Sequence, residues 1–155
     1  MEEMQERGHS NVEIISTINS LLRYVNMTLI NADSEFIKKA VKLRPKSGAA
    51  RIPSDFAKVS YFRGDDKPDS WEFIGDKVYL DKPAEMVYLF IIPKVYEEDD
   101  EIDLPYFLFE FISRFAAGML KGDIGKDIVG AKVDSELMKL IKTSGPIERP
   151  LQFYV

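Results

Sequence analysis

DSEFIKKAVKLRP, residues 33–45, decides how many helices the chain has. Asp33 or Ser34 can cap a helix, and Phe36, Ile37, Ala40, Val41 and Leu43 then form an apolar stripe at roughly helical steps. Pro45 stops the pattern, because proline disfavours helical backbone at the residue before it. This spacing predicts a helix that ends before Pro45. Another helix precedes it. Ser10 followed by Glu13 fits a capping box, and Val12, Ile15, Ile18, Leu22, Val25 and Leu29 recur on one face. Asn26, Thr28, Ile30 and Asn31 are poor helix formers and make its end ragged.

Downstream the pattern changes. PKSGAARIPSD (45–55) reads as a loop, and Phe56 to Phe62 as a short strand stopped by RGDDKPDS. Trp71 to Ile74 and Lys77 to Leu80 are two further strands, with turn chemistry at Gly75-Asp76 between them. Met86 to Ile92 is rich in aromatic and branched residues and sits between Pro83 and Pro93. Residues 56–92 thus read as a small antiparallel sheet. Leu104-Pro105 opens a helix that runs to about Lys121, with Gly122 as its stop. Leu104, Leu108, Phe111, Phe115 and Leu120 line one side of it, and Phe107, Ile112 and Met119 widen that side over most of the surface. A helix of this kind is central, or packs on a neighbouring subunit as well as its own core. A last helix spans roughly Lys126 to Lys142. The expected fold is α+β: a four-helix core with an inserted small antiparallel β-sheet and an extended C-terminal arm. Residues 1–9 form a flexible leader, 10–142 a single domain with its β insertion at 56–92, and 143–155 the arm.

The 155 residues suit one domain and carry no cysteine, which removes disulfides, thiolate nucleophiles and cysteine-based zinc sites. A net charge of −5 argues against a duplex-coating protein. The N-terminus lacks the apolar core of a signal peptide, and the longest apolar run, Met86 to Ile92, is too short to span a bilayer. His9, the only histidine, lies in the polar leader. No serine sits in a nucleophile elbow, and GDIGKD at 122–127 reads as a helix–helix turn in place of a phosphate loop. The run Glu97, Glu98, Asp99, Asp100, Glu101, Asp103 lacks the central glycine of a calcium loop and reads as solvated. No catalytic, cofactor-binding or metal-ligating residue is expected. The arm ends in Pro150, Leu151, Gln152, Phe153, Tyr154 and Val155. Such a segment either adds to the edge of a partner's sheet or packs back on its own domain.

Gly75, Val78, Leu80, Pro83, Val87 to Pro93, the acidic 97–103, Leu104-Pro105 and Gly122-Asp123 follow one another in an order that resembles the head-to-tail connector (adaptor or neck) proteins of tailed bacteriophages. Ile52-Pro53-Ser54-Asp55-Phe56 is similar to the lead-in to the β part in that family. The resemblance covers roughly residues 10–142. It implies a virion structural protein without catalysis or cofactor, assembled in the host cytoplasm as a homo-oligomeric ring, usually a dodecamer, beneath the portal. Such a ring extends the DNA channel for genome ejection, passes DNA without sequence-specific binding, docks tail or further neck proteins, and involves no membrane. It gives Pro150, Leu151, Phe153, Tyr154 and Val155 a portal-binding role, and Phe107, Phe111, Phe115 and Met119 a role in packing between subunits. The competing readings are a tail completion or minor neck protein, a non-viral cytosolic interaction module, and, least favoured, an enzyme with paired carboxylates and Mg²⁺.

Overall fold

Asp33 takes a left-handed backbone with φ of 50°, a conformation aspartate tolerates better than most residues, and the chain leaves its first helix there. The computed structural model describes residues 8–64, 67–102, 104–143 and 152–154. The expected second helix does not form. Ser34 Oγ accepts the Phe36 N–H and starts a single 3-10 turn, Glu35–Ile37, and strand β1 (Lys38–Leu43) follows at once. The four-helix core is therefore corrected to three helices among the described residues, within an α+β fold. The reason is partner choice. Phe36, Ile37, Ala40, Val41 and Leu43 satisfy a helical stripe, but over β1 the apolar side chains are buried on both faces of a strand whose ladder is supplied from far along the chain.

The described chain divides into two units. The helical unit takes the residues up to Ala32 and those from Ile92 to Thr143; the β unit takes Asp33 to Ile91 and the strand at 152–154. Helix α1 (Asn11–Asn31) begins as the sequence predicts, with Ser10 Oγ accepting the Glu13 N–H at 3.2 Å. Its buried face is Ile14, Ile18, Leu21, Leu22, Val25 and Leu29, whereas Val12 is 78% exposed. Helices α2 (Tyr106–Leu120) and α3 (Val129–Thr143) both pack on α1. Helix α2 buries Leu108, Phe111, Ile112, Phe115 and Ala116, and α3 buries Val129, Val133 and Leu137. Gly130 lets α3 approach α1, since a Cβ there would stand 2.9 Å from the Tyr24 ring.

The expected ragged end of α1 is regular helix to Asn31. Its polar residues have tertiary partners. Asn26 Oδ1 accepts the Ile92 N–H at 2.8 Å, and Thr28 Oγ1 donates to Asp134 Oδ1 at 3.0 Å. One further asparagine does more: Asn19 donates to the Val95 carbonyl and accepts the Val95 N–H, both at 2.8 Å. Pro93 interrupts this segment, so the two asparagine side chains take the place of a strand partner for residues 92–95.

In the β unit, β3 (Phe56–Arg63), β6 (Ala84–Phe90) and β1 form an antiparallel sheet. Strand β7 (Gln152–Tyr154) extends it by pairing parallel with Lys39–Val41, which gives the order β3-β6-β1-β7. A second sheet has the order β2-β5-β4, from β2 (Ala49–Arg51), β5 (Lys77–Leu80) and β4 (Trp71–Ile74). Its hairpin turns at Gly75-Asp76, where Gly75 has a φ of 61°. Aromatic pairs join the sheets: Phe56 with Phe73 at 5.1 Å and Phe62 with Trp71 at 4.8 Å between ring centroids. Strand β2 lies inside the expected loop 45–55 and β1 precedes it, so the strand-bearing region starts at Lys38 and not at 56.

Candidate functional site

The Pro53-Ser54-Asp55-Phe56 segment leads into β3 and carries the best-organised polar cluster of the β unit. Tyr88 lies opposite Lys39 in the β1–β6 ladder, which puts both side chains on one face of the sheet. Asp55 reaches them from the loop before β3. One carboxylate oxygen accepts from Lys39 Nζ at 2.8 Å, and the other accepts from the Tyr88 hydroxyl at 2.8 Å. Lys39 also stands 4.3 Å above the Phe90 ring centroid, and Phe56 lies 5.8 Å from Tyr88. Both carboxylate oxygens are engaged, so Asp55 is a fixed strut and its charge is offset by Lys39.

Asp55 and Tyr88 of this cluster line a cleft of about 610 Å³ together with Val41, Leu43, Ala50 and Pro53. Three further cations line it: Lys42 at the end of β1, Arg44 just beyond, and Arg51 closing β2. All three are exposed, and none is ion-paired among the described residues. With Asp55 offset by Lys39, the cleft carries an uncompensated positive charge on a chain whose net charge is −5. What such a site can do is hold an anionic group beside an apolar one. The cations sit at 42, 44 and 51, in segments read from sequence as a helix and a loop, so only the strand pairing reveals them as one group.

On the opposite face of β1, Lys38 is buried and bonds to Asp33 at 3.1 Å and Glu35 at 2.8 Å. Asp33 also accepts from Ser60 Oγ at 2.8 Å. Burial alone would lower the Lys38 ammonium, but the hydrogen bonds and charges of Glu35 and Asp33 outweigh it and raise its pKa above the ordinary 10.5. A raised lysine stabilises the fold fully below its unfolded value, and loses that contribution as pH climbs through the folded value. We therefore expect wild-type stability to fall above about pH 10.5 by more than that of Lys38→Met, measured by urea unfolding between about pH 9 and 12.

The residues singled out from sequence fall in several places. Phe111 and Phe115 are core residues of the helical unit, with rings 4.7 Å apart, while Phe107 and Met119 are half-buried. Phe153 and Tyr154 belong to β7, on the edge of β1; Pro150, Leu151 and Val155 lie outside the described residues, as do residues 1–7 of the leader. His9 Nδ1 lies 3.2 Å from Glu13. In the acidic loop, carboxylate oxygens of Glu97, Asp99 and Asp100 come within 4.8 Å of one another, all exposed. Asp100 Oδ2 accepts the Tyr96 and Glu97 N–H groups at 2.7 and 3.0 Å, and these bonds hold its pKa below the ordinary value. A larger cleft of about 810 Å³ lies on the helical unit, but Glu110, Arg114, Lys121, Asp123, Lys132 and Glu136 give it both charge signs, with Arg114 bonded to Glu136. Neither a scan against protein-family models nor a search of curated proteins finds a match for this chain.

Proposed function

We propose that the chain is a structural subunit of a tailed-phage head-to-tail connector ring, docking to the portal, extending the DNA channel and offering the attachment site for tail components. The observation that carries this reading is where the residues of the resemblance fall. Asp55, in the Ile52–Phe56 lead-in, ties the loop to β1 and β6. Gly75-Asp76 turns the β4–β5 hairpin, Pro83 directly precedes β6, Pro105 caps α2, and Gly122, with φ of 83°, follows its end. Residues matched by sequence alone thus mark successive junctions of one architecture. Ring assembly is further supported by large apolar side chains left in water: Val12 at 78% exposure, and Tyr96 and Tyr106 at 76% each. A closing ring needs two different faces on every copy, and these side chains supply candidates for them.

The test is quantitative mass spectrometry on purified particles of the source virus. The expected result is a copy number equal to that of the portal protein. Absence from the particles overturns the reading, and a copy number well below the portal's moves the chain to a minor neck or tail completion role.

A further inference from the structure

The uncompensated cleft of the β unit and the acidic loop of the helical unit are complementary in chemistry. The loop is a built feature. Val95 is held on both sides of its peptide by Asn19, and Asp100 ties the Tyr96 and Glu97 N–H groups. A fifth bond, from the Asp100 N–H to the Glu97 carbonyl at 3.2 Å, closes the turn. This frame presents the Tyr96 ring, 76% exposed, beside the exposed carboxylates of Glu97 and Asp99. A loop whose backbone is already held in place loses little entropy on docking, and its exposed tyrosine offers an apolar anchor. The cleft offers the matching surfaces: an apolar strip at Val41, Leu43 and Pro53, with Arg44 and Arg51 lining it and not ion-paired among the described residues.

We infer that the cleft receives residues 96–101 of a second copy of this chain, Tyr96 against the apolar strip and Glu97 and Asp99 against Arg44 and Arg51. The inference rests on the ring reading for its biological setting, and names the contact that reading leaves open. Loop and cleft are different patches, so the contact is heterologous: each copy gives a loop to one neighbour and takes one from the other. Charge complementarity also sets the partner's direction, because loop against loop or cleft against cleft repels.

Two full-length variants test this by sedimentation velocity over a concentration series at low salt. One carries Arg44→Glu with Arg51→Glu, the other Glu97→Lys with Asp99→Lys. All four positions are exposed, and thermal melts unchanged from wild type show that each variant is folded. Wild type is expected to self-associate, and each variant alone to do so at least about tenfold more weakly. An equimolar mixture of the two should regain association, since each cleft again meets a loop of opposite charge. Absence of wild-type self-association overturns the inference. So does a loss confined to the cleft variant, which would assign the cleft to another anion, or a loop variant that melts lower without changing association, which would place the loop's partner in its own chain. The copy number in particles does not depend on this contact, so a ring built through other surfaces would show equal counts while the mixing experiment fails.

Discussion

Phe111→Ala lowers the stability of the isolated chain by about 3–5 kcal/mol, the usual cost of emptying a buried phenylalanine site. Phe111 is 4% exposed and Phe115 2%, and their rings touch in the middle of α2, so truncating either opens a cavity lined by the other. Arg114 lies over both rings, 5.7 and 5.8 Å from their centroids, and bonds to Glu136 of α3, which limits how far the site can collapse. Urea unfolding of dilute protein is the measurement. Phe107→Ala and Met119→Ala, at half-buried positions of the same helix, should cost less than about half as much. The four residues lie on one helix but differ in burial. Phe111 and Phe115 are core residues, whereas Phe107 and Met119 keep part of their surface exposed.

Asp55→Ala is expected to cost about 2–3 kcal/mol, the upper range for losing charge-assisted hydrogen bonds at a partly buried site. The side chains of Lys39 and Asp55 are 13% and 25% exposed, so water softens the loss without abolishing it. Asp55→Asn keeps an acceptor for the Tyr88 hydroxyl and should retain part of the stability. The same unfolding measurement separates the two variants. A flat result for both would mean that Lys39, already stacked on Phe90, needs no carboxylate.

Most strands and the two later helices are legible because their signals are local. The β4–β5 hairpin has a two-residue turn with glycine, β6 is a dense apolar run, and Pro105 and Gly122 bracket α2. Strand β1 is not legible in that way. Its stripe fits a helix, and what decides otherwise is pairing with β6, more than forty residues later. Strand β2, of sequence Ala-Ala-Arg, has no apolar alternation and exists because β5 pairs with it. Asn26 and Thr28 read as poor helix formers because propensity counts only the local cost; their partners at Ile92 and Asp134 offset it. For the cleft, Asp55 stood out as punctuation, but Lys39 and Tyr88 became its partners only through the β1–β6 register.

The two asparagine clamps have a mechanical meaning. Along the chain Ile92 meets Asn26 first and Val95 meets Asn19 next, so the segment runs back down α1, against its direction. A pull on the chain at Ile91 would load the Asn26 anchor before reaching the paired bonds at Asn19. The anchors are therefore loaded in order, Asn26 ahead of Asn19. Residues 92–95 are thus tied to α1 at two points in series, within the helical unit.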